Sequence, residues 1–360
     1  MTKKLRYGLI GCGGCGENKH LASYKRFPND VELAAVFDVD PGRAKAVAER
    51  HQIPKVCSSY MELLADPTID LVSIATPNVM HAPIAIAALK AGKHVHIEKP
   101  IAMNAREAQA IVNAKNRARR KVMVALNNRF TEASQYARRY VEEGHLGEIY
   151  HARCGWRRRL GCNMYGTWFA DKNLSGGGPL IDLGVHFFDL TLHLLGFPAP
   201  VAVSGACYDK LAHPSKADKH MKSVMMGRDK AAGKHDVEDF AAGFVKLETG
   251  VSVAFEFSWG SYVEKDMSYL ELLGSRGGLR LHDGSLKMFS EAAGALVDVT
   301  PQVKNTTGWG ENETRHFIDC IRQNKEPLAP PEEAVKMMQI IDAIYASSKS
   351  GREVRIRSRA

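Results

Sequence analysis

The sequence predicts an α/β chain: an N-terminal half with a doubly wound parallel sheet, then an α+β half with a large, mostly antiparallel open sheet. Three observations predict it. Up to about residue 126, short apolar runs alternate with helical periodicity, as in parallel strands joined by crossover helices. The first run ends in the glycine cluster Gly11-Cys12-Gly13-Gly14-Cys15-Gly16. From Gly147 the pattern changes to strands separated by short turns. The division falls between a first domain over 1–126 and a second over 127–360, and it leaves room for a C-terminal helix that packs back on the first domain.

Arg6 to Ile10 reads as a buried strand, followed at once by the glycines and by a helical stretch with His20, Leu21, Tyr24 and Phe27. Strand, glycine turn and helix are the setting that a Gly-x-Gly-x-x-Gly pattern requires. Gly11 permits the tight turn, Gly13 lets the backbone approach a pyrophosphate, and Gly16 lets helix and strand pack closely. Gly14 and Cys15 complete the loop, and the helix N-terminus offers amide hydrogens and a positive dipole end to phosphates. This is the Rossmann arrangement. Val31 to Phe37 reads as a second strand and ends at Asp38, where the acidic partner of the adenosine ribose belongs. A carboxylate there accepts from the 2′-hydroxyl and repels a 2′-phosphate, so Asp38 points to NAD over NADP. Arg43 is the first suspect for a 2′-phosphate contact, and Asp40 suits the cap of the helix after Pro41.

Asp70 to Ala75 is a third strand, ending in Thr76-Pro77-Asn78-Val79-Met80-His81. His94 to Ile97 is a fourth, ending in Glu98-Lys99-Pro100, with a cis bond expected before the proline. Helices over Asp40–His51, Tyr60–Ala65, Pro83–Ala91 and Ala105–Arg120 separate the strands, and Val122 to Leu126 closes the series. Gly11, Asp38, Thr76, Glu98 and Asn127 all fall at strand carboxyl ends, where such sheets bind ligands.

In the second half, strands are expected over Ile149–Trp156, Val201–Tyr208, Phe240–Leu247, Val251–Trp259, Tyr269–Leu273, Leu279–Leu281 and Leu286–Phe289. Turns such as Glu248-Thr249-Gly250 and Ser275-Arg276-Gly277-Gly278 link some of them. Asp209 to Asp236 is polar and aperiodic and reads as a long surface loop, a candidate lid or subunit arm. The run Ser175-Gly176-Gly177-Gly178 leads into a helix to about Leu195, stopped by Gly196. Asp182, His186 and Asp189 stand at i, i+4 and i+7, on one face of an otherwise apolar helix. Burying three polar groups in register is costly unless they are paired or used. A lone buried histidine is more often structural; this constellation favours function for Asp182 and His186.

Composition narrows the classes. Of 360 residues, 45% are hydrophobic and 25% charged, as in an ordinary globular protein. No apolar run reaches the roughly 18 to 20 residues of a membrane span, so no membrane association is expected. The basic N-terminus is followed by an apolar run that stops at the glycines, so a cytoplasmic protein is expected rather than a secreted one. The seven cysteines are odd in number and scattered, which argues against a disulfide framework. Cys12-x-x-Cys15 lacks a second ligand pair, so no metal site is expected. The net charge of +9 is spread among acidic residues, without interleaved aromatics, and no nucleic-acid binding is expected.

These motifs, in this order, resemble the glucose–fructose oxidoreductase and inositol 2-dehydrogenase family, called Gfo/Idh/MocA, over nearly the whole chain. The carriers are Gly11-x-Gly13-x-x-Gly16, Thr76-Pro77-Asn78 with His81, Glu98-Lys99-Pro100, and Gly177-Gly178 through Asp182 and His186. The resemblance implies an NAD-dependent hydride transfer between nicotinamide and a secondary alcohol of a sugar, sugar derivative or cyclitol. It implies Lys99, Asp182 and His186 as the catalytic group. It implies cofactor contacts from Gly11, Gly13, Gly14, Cys15, Gly16, Asp38, Arg43, Thr76, Pro77, Asn78, His81, Glu98, Lys99, Asn127 and Trp168. Phe169 stands where some relatives carry arginine. Arg157, Arg158 and Tyr165 join Lys99, Asp182 and His186 as candidates for substrate binding; the bland alternative for the arginines is a solvated charge run. A homodimer or homotetramer, packed through the second domain's sheet, is also implied. Alcohol oxidation needs a hydride acceptor, a base and groups that orient the oxygen; Lys99 or His186 can be the base, with Asp182 orienting. Two other functions use the same residues: a glycosidase or epimerase working by transient oxidation, and a non-catalytic sugar- and NAD-binding regulator. The sequence does not name the substrate.

Overall fold

The computed structural model describes residues 3–159, 164, 166–211, 234–303 and 309–356. They form two compact units, one drawn from Met1–Phe130 and Asn305–Val335, the other from Thr131–Lys304 and Lys336–Ala360. The division falls just beyond the expected 126/127 boundary, and residues 305–335 belong to the first unit.

The first unit is built on β1 (Leu5–Ile10), β2 (Val31–Phe37), β3 (Lys55–Val56), β4 (Leu71–Ile74), β5 (His94–Ile97) and β6 (Val122–Val124). All pairs are parallel, in the order β3-β2-β1-β4-β5-β6. This is the doubly wound dinucleotide-binding order. Every residue of β4 is buried, because helices cover both faces, so the strand reads as a continuous apolar run without alternation. The helices start where the sequence supplies caps. Asp40 accepts from the Arg43 N–H before Pro41–His51, Ser59 from Glu62 before Tyr60–Ala65, and Asn104 from Glu107 before Ala105–Ala118. One start differs from expectation: the helix over 83–91 begins at His81, and Pro83 sits in its first turn, where its missing N–H costs no helical bond. After the glycine loop, residues Gly16–Leu21 form a wide π turn before the α-turn Ala22–Lys25.

Within the first unit, the returning segment is tied down by ions. Arg129 is fully buried and donates to the Leu328 carbonyl and the Glu333 carboxylate. Lys115 pairs with Glu326 and Glu332 at 2.9 Å each. Arg315 and Arg322, on the helix Trp309–Gln323, both reach Asp30.

The second unit carries β7 (Ile149–Arg159), β8 (Pro200–Tyr208), β9 (Phe240–Leu247), β10 (Ser252–Ser261), β11 (Met267–Gly274), β12 (Gly278–His282), β13 (Ser285–Ala292), β14 (Ala295–Val299) and β15 (Val354–Arg355). Their order is β14-β13-β12-β11-β7-β10-β9-β8-β15. β7 and β10 run parallel; the other neighbours are antiparallel. The helix Gly184–Leu194 lies against one face. Phe188 meets Phe255 and Phe257 edge-on at 5.0 and 5.3 Å. The sequence reading missed β14, whose Ala-Leu-Val-Asp-Val is exposed on both sides at the sheet edge and so lacks a buried alternation. It also missed the two-residue strands β3 and β15. Most of the expected loop 209–236 lies outside the described residues.

The expected single helix through Asp182, His186 and Asp189 is corrected. It is two segments, Pro179–Asp182 and Gly184–Leu194, broken at Leu183. The His186 N–H bonds the Leu183 carbonyl, three residues back, so the turn tightens at the junction. Asp182 and His186 therefore belong to successive segments and not to one regular stripe.

Candidate active site

The first unit presents a nucleotide cradle. Gly11 has φ +96°, and a Cβ on Gly16 would overlap the Gly11 carbonyl oxygen, so loop and helix start are in backbone contact. A Cβ on Gly13 or Gly14 would meet nothing within 4 Å, so the space beside the loop is open. Asp38 is buried at the end of β2; its carboxylate accepts from the Cys12 N–H (2.8 Å) and the Asp40 N–H (2.9 Å). Arg43 lies 3.3 Å from the same carboxylate. Cys12 serves this loop through its backbone, since burial, with Asp38 and Glu17 nearby, pushes its thiol up to about 12; Cys15 is exposed.

At the ends of β4 and β6, the Thr76 hydroxyl and the Asn127 amide oxygen are buried without a hydrogen-bond partner among the described residues. Buried polar atoms of this kind need a partner, and a bound dinucleotide supplies one. Together with the open space at Gly13 and Gly14 and the carboxylate of Asp38, they fit NAD. Pro77 and Asn78 lead into the short turn Asn78–Met80, with Asn78 buried.

Two other expected cofactor residues have internal partners. His81 is buried, with Nδ1 2.7 Å from the Pro100 carbonyl and Nε2 2.9 Å from the Thr76 carbonyl. It bridges the loops after β4 and β5; burial lowers its pKa, against the opposing pull of those carbonyls. Glu98 is buried too. It pairs with Lys19 (2.6 Å) and His20 (2.9 Å), and accepts from the Lys99 N–H (3.1 Å). Burial alone would raise its pKa, but Lys19 and His20 outweigh burial and hold the carboxyl well below the usual range. Lys99 follows it, and the Lys99–Pro100 bond is cis as expected.

The second unit holds Asp182, buried, and His186, half-buried. The Trp259 indole N–H donates to Asp182 Oδ2 at 2.9 Å. Upstream, the buried Glu238 carboxylate accepts from the Gly178 N–H (3.0 Å), the Leu180 N–H (3.1 Å) and the Tyr345 hydroxyl (3.0 Å). It satisfies the first amides of the segment that carries Asp182. Sequence reasoning missed both Trp259 and Glu238; their partners lie 77 and 60 residues away.

Of the two adjacent arginines on β7, only Arg158 shares the His186 side, because successive strand residues face opposite ways. Its guanidinium lies 4.8 Å from the Trp156 ring centroid, and Trp156 stands 6.2 Å from the His186 ring. Arg157 faces the other side of the sheet, 3.2 Å from Glu256, which also accepts from the Tyr269 hydroxyl at 2.7 Å. Trp168 begins a short turn, stacked on Phe169 at 3.8 Å. Tyr165 lies outside the described residues. Among the described residues, no helix is long and apolar enough to cross a membrane.

Comparison with known proteins gives the same two-part division. Residues 5–126 match the model of an oxidoreductase family with an NAD-binding Rossmann fold, and residues 138–356 match that family's C-terminal alpha/beta domain. The chain is 28% identical to D-glucoside 3-dehydrogenase of Escherichia coli (strain K12), over 99% of this chain and 98% of that protein. It is 30% identical to levoglucosan dehydrogenase of Pseudarthrobacter phenanthrenivorans, over 77% of this chain and 73% of that protein. A solved structure of levoglucosan dehydrogenase in complex with NADH and levoglucosan superposes with a TM-score of 0.85 at 25% identity, covering 99% of this chain and all (100%) of that one. With residues 5–126 and 138–356 matched to its two domain models, the chain belongs to the Gfo/Idh/MocA family of NAD-binding oxidoreductases.

Proposed function

We propose that this oxidoreductase transfers a hydride between NAD and a secondary alcohol of a sugar, sugar derivative or cyclitol, with Lys99, Asp182 and His186 as its catalytic group. The observation that carries this reading is the joint presence of a nucleotide cradle ending in Lys99 and of a buried Asp182 followed by His186. The sugar substrates named for the relatives point to the same class of alcohol. NAD, when bound, supplies the hydride acceptor. The hydroxyl proton passes to Lys99 or His186, both able to exchange protons, while Asp182 orients the substrate or the base. Arg158 is the arginine that contacts substrate oxygens; Arg157 is spent on Glu256. Gly11, Gly13, Gly14, Cys15, Gly16, Asp38, Thr76, Pro77, Asn78 and Asn127 hold the cofactor, while His81 and Glu98 support the loops around it.

The chain is further read as a cytoplasmic homodimer or homotetramer that pairs through the face of the sheet carrying Phe244 and Tyr208, which are exposed in the single chain. Light scattering of the purified protein should give a mass of at least twice the 39.7 kDa chain.

The functional test is a screen of NADH formation from NAD with methyl D-glucoside, levoglucosan, free hexoses and inositols. Net NADH is expected with at least one of them; turnover on catalytic NAD without net NADH would indicate transient oxidation instead. With the best substrate, Lys99→Ala and His186→Ala should fold and bind NAD normally, yet lose about two to four orders of magnitude in turnover. Their losses should not add, since both serve one proton transfer. Near-normal turnover of His186→Ala would remove it from the mechanism.

A further inference from the structure

Along β10, the alternate side chains Phe255 and Phe257 point at the helix Gly184–Leu194, and Trp259 follows them against the preceding segment Pro179–Asp182. The first two close the apolar core against Phe188. Trp259, next in the row, is equally buried at 2% exposure, but its indole meets a carboxylate that is itself 7% exposed. An apolar side chain of similar size would fill the same space, so packing alone does not call for the N–H.

The indole N–H only donates, so Asp182 Oδ2 must present a lone pair to it. A hydrogen bond to an ionised acceptor in a poorly solvated site is strong and directional. It fixes the carboxylate plane, and with Oδ2 fixed the direction of Oδ1 is defined as well. The indole is itself anchored. The Trp259 backbone N–H donates to the Asp239 carbonyl at 3.2 Å, and the Asp239 carboxylate accepts from the Lys210 N–H at 2.7 Å and from the Leu211 N–H. Asp182 is thus held from the sheet side by Trp259, while Glu238 holds the start of its segment.

We propose that Trp259 is a positioning residue for the reaction: its indole N–H fixes the orientation of the Asp182 carboxyl group toward the substrate. This rests on the catalytic reading of Asp182 given above.

The test is a double-mutant cycle of Trp259→Phe and Asp182→Asn, assayed with NAD and methyl D-glucoside, or with the sugar that outpaces it in the screen. Trp259→Phe keeps an aromatic ring and removes the N–H. Its kcat should fall by about ten- to a hundred-fold, the range for a hydrogen bond to a charged group. NAD affinity should be unchanged, because the cradle lies in the other unit. In the Asp182→Asn background, where the amide oxygen still accepts the indole N–H as a weaker neutral bond, the same change should cost clearly less than it does beside Asp182. A readout independent of turnover is the Trp259 indole signal in a ¹⁵N-labelled protein, identified by its loss in Trp259→Phe; Asp182→Asn should move it. A normal kcat for Trp259→Phe, or an equal loss with and without Asp182, overturns the proposal while leaving the role of Asp182 standing. A normal kcat for Asp182→Asn alone overturns both. Should Trp259→Phe not fold, benzothienylalanine at position 259 replaces the N–H with sulfur in nearly the same shape, and the same outcomes apply.

Discussion

Asp38 does two jobs with one carboxylate. It accepts the Cys12 and Asp40 amides, which fixes the turn after β2 against the glycine loop, and on the proposed reading it also receives the adenosine ribose. Its negative charge repels a 2′-phosphate, and Arg43, beside it, is held toward Asp38 and Asp40. The unmodified protein should therefore bind NAD more tightly than NADP. Asp38→Ala should narrow that preference by weakening NAD and relieving the repulsion, with Arg43 released to meet the phosphate. Titration of both cofactors into both proteins checks this, and tighter binding of NADP by the unmodified chain would refute the ribose assignment. Arg157 and Arg158 show what a residue-level reading lacks: their identities are alike, and only strand alternation separates the one near His186 from the one paired with Glu256.

At the scale of elements, the segment Gly178–Leu194 owes its place to residues distant in sequence. Burial pushes the Glu238 carboxyl up, and the Gly178 and Leu180 amides with the Tyr345 hydroxyl pull it back. Glu238→Ala would leave three donors without their acceptor, two of them amides on the approach to Asp182. The cost should be at least about 1 to 3 kcal/mol, read as a lower midpoint in urea unfolding. Glu238→Gln keeps one acceptor oxygen and should cost less. Equal stability of Glu238→Ala and the unmodified protein would show that these amides find other partners. The glycine run and the helix were legible as a unit because their periodicity is local. The break at Leu183 was not, because it arises where the segment meets the sheet.

At the scale of the molecule, titratable groups in the first unit make stability depend on acid, His94 and Glu98 among them. Burial lowers His94 to about 4, with Arg120 and Lys121 adding to the effect and Asp70 opposing it. Its Nδ1 accepts from the Lys121 N–H at 3.0 Å, a bond that requires a lone pair there. In the unfolded chain the ring titrates near its ordinary 6.5. Between those values the unfolded state takes up a proton that the folded state refuses, so stability rises with pH across this window and is lost as pH falls through it. The loss should be on the order of 1 to 3 kcal/mol between pH 6.5 and 4. Glu98, held ionised by Lys19 and His20, adds a further loss at lower pH, with the same sign. Replacing His94 by Gln should flatten the slope from pH 6.5 to 4 in unfolding experiments and leave the steeper acid limb in place. An unchanged slope would refute the assignment to His94.

Local patterns were enough to read the parallel sheet, the glycine loop with Asp38 at the end of β2, and the cap at Asp40. Each depends on residues within a turn or two of one another: an apolar run, a glycine spacing, an acid at a strand end. What had to come from the folded chain depends on contacts across long separations. Trp259 sits in a strand that looks like its neighbours until its indole is found on Asp182. The motifs name Glu98 and His81 but not their partners in the fold, Lys19 and His20 for the first and two backbone carbonyls for the second. The exposed edge strand β14 has no buried face to impose alternation, and Arg129 and Glu333 meet only after the chain returns to the first unit. Periodicity encodes which face of an element is apolar; the partner of a buried polar group is fixed only when distant segments are brought together.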